Sequence, residues 1–210
     1  MAILLLIRHG DNDVFKTRIA GRMPAVHLNS AGLQQAQALA ESLTNAPITA
    51  IYSSPLERAL ETAAPLAANH NLEVLVHPGL LEVDYGRLQG RTYKQLQRLK
   101  LWKLVHEQPS AVTFPEGESL AGVMQRIVAA LDGLVAQYGD HSLVACVTHG
   151  DLIRLAVAHY LGIPLDHYQC FSIATASITT LVLGKNRPQL LNLNQVNVLE
   201  WPKPAPEKKT

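Results

Sequence analysis

Ala2-Ile3-Leu4-Leu5-Leu6-Ile7-Arg8-His9-Gly10 opens the chain, and Ser142-Leu143-Val144-Ala145-Cys146-Val147-Thr148-His149-Gly150 repeats its plan far downstream. Each is a short apolar run that ends in His-Gly. Two strands with that ending can hold two imidazoles at one rim of a sheet. An arginine directly precedes the first, which suits a site for a dianion. Between and after these runs, apolar segments alternate with helical periodicity. That alternation predicts an α/β chain, here a three-layer α/β/α sandwich around a mostly parallel central sheet.

Working outward, residues 11–29 read as an irregular loop broken by Gly21 and Pro24. A helix follows from Ala31 to Leu43, with Leu33, Ala36, Leu39, Ala40 and Leu43 as its apolar stripe. Ala50 to Ser53 is a second strand. Ser54-Pro55-Leu56-Glu57 predicts a helix start with Ser54 as the N-cap, and that helix runs to Ala68 with Arg58 in its first turn. Leu72 to Val76 is a third strand, and the glycine-punctuated segment from Leu80 to Gly90 carries Glu82 and Asp84. One basic amphipathic helix is expected from Thr92 to Glu107. Another, capped by Ser119, is expected to run to Tyr138 and stop at Gly139. After the second His-Gly strand come a helix from Leu152 to Leu161 and two strands, Ala176 to Leu183 and Gln189 to Asn194, whose spacing suits a hairpin.

The chain has 210 residues, enough for one domain with a full core, and 48% of them are hydrophobic. Residues 1–200 are read as that domain. The proline- and lysine-rich tail, 201–210, is expected to be disordered. The formal charge of +1 offers no bulk field for nucleic acid or an anionic membrane. No run approaches the ~18 apolar residues of a membrane span, and the apolar start is too short for a signal peptide. Two cysteines without ligand spacing suit free thiols in a cytoplasmic protein. The strands between Ala176 and Asn194 are expected to offer edges for pairing in a homodimer.

In open α/β sheets ligands bind outside the carboxyl ends of the strands. Arg8, His9 and His149 occupy such ends, and Arg58 lies one helical turn beyond another. A transferring phosphoryl group carries charge on three oxygens, and the planar fork of arginine meets two of them at once. A neutral imidazole, with an ordinary pKa of about 6.5, is a good nucleophile near neutrality. Adjacent arginines disfavour its protonated form. Attack on phosphorus by one of the histidines would give a phosphohistidine and divide hydrolysis into two easier steps. A carboxylic acid must then protonate the leaving alkoxide, and Glu82 and Asp84 are both candidates.

Arg8-His9-Gly10, Ser53-Ser54-Pro55-Leu56-Glu57-Arg58-Ala59, Leu81-Glu82 with Tyr85-Gly86 and Leu88-Gln89-Gly90, Gly117-Glu118-Ser119, and Thr148-His149-Gly150 with Ile153-Arg154 together resemble the histidine phosphatase superfamily, the phosphoglycerate mutase-like family. Five separated motifs in order, spanning Ala2 to Leu183, are specific where a lone Arg-His-Gly is not. The resemblance implies that His9 is the nucleophile, Arg8 and Arg58 bind phosphoryl oxygens, His149 donates a hydrogen bond to the transferring group, and Glu82 is the proton donor. It also implies a chemistry without metal or cofactor. The chain departs from the family after Arg-His-Gly, where Asp11-Asn12 replaces the usual Glu-Thr. Val14-Phe15 stands where a phosphate-binding asparagine is usual, and Asn12 is the substitute candidate. Glu118-Ser119 is read as a helix start. The implied activity is hydrolysis of small phosphomonoesters, with a small phosphorylated metabolite as the partner. The alternative is a cofactor-dependent phosphoglycerate mutase, which would need bisphosphoglycerate as a primer. Residues 91–114 lack the longer insertion and adjacent arginine pair of such mutases, which favours hydrolysis.

Overall fold

The computed structural model describes residues 1–185 and 187–196. Their strands form one six-stranded sheet: β1 (Ala2–Arg8), β2 (Ala50–Ser53), β3 (Val74–Val76), β4 (Leu143–Thr148), β5 (Ile178–Leu183) and β6 (Gln189–Gln195), in the spatial order β3-β2-β4-β1-β5-β6. The four strands β3, β2, β4 and β1 are parallel, and β5 and β6 add an antiparallel hairpin beside β1.

Strand period and burial together make the layers. On β1, Leu4 and Leu6 enter one core while Leu5 and Ile7 enter the other; on β4, Val144 and Cys146 oppose Ala145 and Val147 in the same way. One face is covered by α1 (Ser30–Ser42) and α2 (Glu57–His70), whose Leu39, Ala40, Ala59, Ala63 and Leu66 fill the smaller core. The larger core lies under α5 (Leu120–Tyr138) and α6 (Gly150–Tyr160). By length and composition α5 could cross a membrane. It is instead a core helix here, with Leu120, Val123, Ile127, Leu131 and Leu134 buried against the sheet.

Several expectations need correction. The basic helix predicted from Thr92 to Glu107 is two pieces, α3 (Tyr93–Leu96) and α4 (Lys100–Glu107). Thr92 and Gln95 form a capping box at the first piece. Leu99, in an extended conformation, separates the two. Ser54 does not cap α2, whose flanking residue is Leu56 with no side-chain cap bond; the Ser54 hydroxyl is engaged elsewhere, as described below. The helix after β4 starts at Gly150, two residues earlier than expected. Strand β5 is enclosed between β1 and β6, so only β6 of that pair presents an edge. The hairpin turn at Asn186 and the tail from 197 onward lie outside the described residues.

The ladder runs one residue past the strand ends. His9 N donates to Thr148 O at 3.0 Å, and Ser54 N donates to Val147 O at 2.9 Å. The carboxyl ends of β2, β4 and β1 therefore place Ser54, His149 and His9 side by side at one rim. The turn after His9 is held close by two glycines. A Cβ on Gly10 would stand 2.7 Å from Gly32 O, and one on Gly32 would stand 2.1 Å from Asp11 O. Gly32→Ala should therefore push the Gly10-Asp11 turn off the start of α1, at a stability loss of about 1–3 kcal/mol typical of overpacking. A lowered urea midpoint with an unaltered slope is the expected result; an unchanged midpoint would mean the turn yields freely.

Candidate active site

The rim opens into a cavity of about 170 Å³ lined by Arg8, His9, Asn12, Arg58, Glu82 and Gly150. Phe15, Tyr85, Tyr93, Asp151 and Arg154 also line it, with the 19–21 loop. The sequence-derived residues thus converge, Arg8, His9, Asn12, Arg58 and Glu82 on the cavity and His149 against the His9 ring, although they come from four separate segments.

His9 is 4% exposed. Its Nδ1 lies 2.8 Å from Gly10 O, a carbonyl that can only accept, so Nδ1 carries the proton and Nε2 holds a free lone pair. Burial, then the Arg58 and Arg8 guanidinium groups, hold its pKa well below the usual histidine value. His9 is therefore neutral and nucleophilic at Nε2. The His149 ring stands edge-on to it, with centroids 5.2 Å apart.

His149 is fully buried. Arg58 Nη2 donates toward its Nδ1 at 3.3 Å, which leaves Nε2–H to donate to Ser54 Oγ at 2.8 Å. This is where the Ser54 hydroxyl is used. Burial first, then Arg58, His9 and Arg8, depress the His149 pKa. The ring is thus neutral in this state, and its Nδ1 is an acceptor for Arg58. Donation from Nδ1 to a phosphoryl oxygen would require a proton at that nitrogen, which the charge of an arriving dianion favours.

Arg58 is 1% exposed. Its Nη2 also donates to Gly21 O at 2.8 Å, yet Nε and Nη1 are buried with no partner among the described residues. Arg8 donates through Nη1 to Ile173 O at 2.5 Å, and its buried Nε is likewise unpartnered. Asn12 is fully buried. Its Oδ1 accepts from the backbone N–H of Val14 and of Phe15 at 3.1 Å each, and Nδ2 is left without a partner. Buried donors are normally satisfied. Unsatisfied donors on three residues around one small cavity mark a place for an acceptor-rich anion.

Glu82 faces these cations. Its Oε1 accepts from Val83 N at 2.9 Å, and Oε2 is 3.8 Å from His149 Nδ1. Burial, then the Asp151 charge, raise its pKa to about 7, against the opposing pull of Arg58 and Arg8. A carboxyl that titrates near neutrality can give and take a proton. Asp84 instead turns into the loop, where Oδ1 accepts from Gly86 N at 2.9 Å. It does not line the cavity.

Three residues that sequence reasoning left aside hold the Glu82 loop. Glu118 Oε2 accepts from Asp84 N and Arg22 Nη2, and Glu118 Oε1 accepts from Arg126 Nε. Arg22 Nε donates to Glu82 O at 2.9 Å, while Arg126 Nη1 donates to Gly79 O and Leu81 O. Two guanidinium groups joined by one carboxylate thereby clamp the carbonyls on both sides of Glu82. Ser119 is the N-cap of α5, as expected from the sequence, but Glu118 belongs to this clamp. Its only signal was the Gly117-Glu118-Ser119 motif; nothing in the loop around Arg22 announced a partner. Among the described residues no group of three or more His, Cys, Asp or Glu side chains is arranged to hold a metal ion.

The chain belongs to the histidine phosphatase superfamily (branch 1), whose family model matches residues 4–196. Among curated relatives, phosphoserine phosphatase 1 of Hydrogenobacter thermophilus is 29% identical over 202 residues, covering 92% of each chain. The 2,3-bisphosphoglycerate-dependent phosphoglycerate mutase of Thermoplasma acidophilum is 27% identical over 202 residues, covering 95% of this chain and 96% of its own. Among solved structures, a phosphoserine phosphatase from Entamoeba histolytica in complex with 3-phosphoglyceric acid superposes with a TM-score of 0.85 at 29% identity, covering 94% of this chain and 98% of that one.

Carbon-13 NMR of the side-chain carboxyl should show Glu82 titrating near pH 7. A midpoint at the ordinary glutamate value of about 4.3 would remove the buried acid from the site.

Proposed function

We propose that this protein is a phosphatase that hydrolyses small phosphomonoesters through a phosphohistidine on His9. The observation that carries this reading is the orientation of His9. Its proton is tied to Gly10 O, and the bare Nε2 sits beside guanidinium donors that have no partner of their own.

In the first step the Nε2 lone pair of His9 attacks phosphorus while the ester P–O bond breaks. Arg8, Arg58 and Asn12 donate to the phosphoryl oxygens as charge builds on them. The proton on Glu82 passes to the departing alkoxide. In the second step water attacks the phosphohistidine, Glu82 takes its proton, and the N–P bond breaks to release inorganic phosphate. One carboxyl serves both steps because its pKa lies near the working pH. The reaction as written uses guanidinium groups where a metal ion could otherwise neutralise the phosphoryl charge, and it calls for no cofactor. The two cysteines stand apart as free thiols, Cys146 buried and Cys170 exposed, which supports a reducing, cytoplasmic setting.

Hydrolysis is favoured over mutase activity by the cover of the pocket. Residues 91–114 fold as short α3, α4 and a 3-10 turn at Pro109–Ala111, with no adjacent arginines to hold a substrate carboxylate through a transfer and return. 3-Phosphoglycerate with a trace of bisphosphoglycerate should release phosphate and form no 2-phosphoglycerate; isomer formation without phosphate release would reassign the protein as a mutase.

His9→Ala should abolish turnover, and retained activity would overturn the mechanism. Glu82→Gln should cut hydrolysis of alkyl phosphates by about 10²–10⁴-fold, the usual contribution of a general acid. In kcat/KM, which reports the phosphorylation step alone, it should spare p-nitrophenyl phosphate, whose leaving group needs little protonation; equal losses in kcat/KM on both would remove Glu82 from the acid role. A chelator should leave both rates unchanged.

The pH dependence follows from the two shifts. Protonated Glu82 is lost as pH rises through about 7, so kcat/KM on alkyl phosphates should fall above that value. The depressed His9 pKa keeps the nucleophile neutral well below pH 6.5, so its loss lies further to the acid side. The alkaline limb should vanish in Glu82→Gln, and a limb that persists there belongs to another group.

A further inference from the structure

The same cavity wall carries an ion pair that the mechanism does not use. Arg154 Nη1 donates to Asp151 Oδ1 at 2.9 Å, and Arg154 Nε donates to Phe171 O at 3.0 Å. These two bonds fix the guanidinium plane and leave Nη2 without a partner among the described residues. Asp151 Oδ2 accepts from Tyr85 OH at 2.7 Å. Each carboxylate oxygen keeps a second lone pair for a further donor. The side chains of Arg154 and Asp151 are 25% and 20% exposed, and both line the cavity. They are therefore held by the protein and still open to a ligand.

We propose that the Asp151–Arg154 pair reads the alcohol part of the substrate and selects one that is zwitterionic, so that the preferred substrates are small O-phosphorylated α-amino acids. The proposal rests on the phosphatase reading above. In it the substrate carboxylate meets Arg154 Nη2 and the α-ammonium meets Asp151, while the phosphoryl group lies between Arg8, Arg58 and Asn12.

Three features favour this class. The pair presents both signs at one place, so a lone carboxylate meets the repulsion of Asp151 and a lone ammonium that of Arg154; only a group with both charges satisfies both. The cavity, about 170 Å³, is below the 300 to 1,000 Å³ usual for drug-sized ligands, which limits the alcohol part to a few atoms beyond the phosphate. The orientation of the pair is also over-determined. An acidic residue in the first turn of α6 gains from the helix dipole alone, and that gain requires neither the Tyr85 hydroxyl nor the Arg154 fork to be aimed at it.

Four substrates separate the two charges: O-phosphoserine carries both, phosphoethanolamine only the ammonium, 3-phosphoglycerate only the carboxylate, and p-nitrophenyl phosphate neither. Asp151 also acts on Glu82, so the comparison uses ratios among the three alkyl phosphates, for which that influence is shared. Wild type should prefer O-phosphoserine over both single-charge substrates by at least about tenfold in kcat/KM, the size of one hydrogen bond to a charged group. Asp151→Asn should lower the O-phosphoserine to 3-phosphoglycerate ratio by a similar factor, mainly through KM. Arg154→Gln, or Arg154→Lys if the first fails to fold, should lower O-phosphoserine relative to phosphoethanolamine. Parity between O-phosphoserine and 3-phosphoglycerate in wild type, or ratios unmoved by Asp151→Asn, would overturn the proposal. If none of the four is turned over, the phosphatase reading fails by itself. Calorimetry on His9→Ala then decides the selectivity: O-phosphoserine binding tenfold tighter than 3-phosphoglycerate upholds it, and equal binding overturns it.

Discussion

A guanidinium group buried in the rim of the sheet is the constraint around which this site is organised. Arg58 is among the largest fully buried side chains, and two of its three nitrogens have no partner among the described residues. Removing a charge from water is costly, and the cost is tolerable only where opposite charge and hydrogen bonds surround it. Here the compensation is partial. Gly21 O and His149 Nδ1 take one nitrogen, and Glu57, joined by Glu82 once it gives up its proton, supplies an opposing charge. The rest of the hydrogen-bonding capacity is open to a dianion. Such a site gives up stability in the empty state and gains strongly when three phosphoryl oxygens arrive.

The same burial decides the protonation states. Next to two arginines a carboxyl would ordinarily be acidic, yet Glu82 is raised because desolvation and the Asp151 charge outweigh Arg58 and Arg8. For the histidines both influences act in one direction. Burial and the arginines each disfavour imidazolium, so His9 and His149 are neutral together. An acid that holds its proton and an imidazole whose Nε2 has none can therefore stand in one small cavity at the same pH.

Positioning falls to elements outside the cavity. The Glu118 carboxylate joins Arg22 and Arg126, and those two guanidinium groups grip the carbonyls of Gly79, Leu81 and Glu82. A loop with a three-residue 3-10 turn on either side would otherwise have little to fix it. The acid is thus tied to α5 and to the loop after β1, while the nucleophile is tied to the sheet. Relative placement of the two depends on charge-assisted bonds between segments that are distant in the chain.

Strand alternation, helix starts and His-Gly strand ends are local patterns that need no partner to be legible, and they carried the α/β class, the parallel strands, the hairpin and the choice of Arg8, His9, Arg58 and His149; Glu82 was separated from Asp84 only by the resemblance to the family. The break between α3 and α4 escaped because an amphipathic pattern continues across Leu99 while the backbone there is extended. Ser54 read as a cap because its local signal is the same whether its hydroxyl turns to the helix or to His149. Folding alone leaves Nε2 of His9 free, His149 neutral and Asn12 Nδ2 without a partner among the described residues, and brings Glu118 and the Asp151–Arg154 pair to the site. Each of those facts is a contact or a loss of water between segments far apart in the chain, and no local spacing encodes such a meeting.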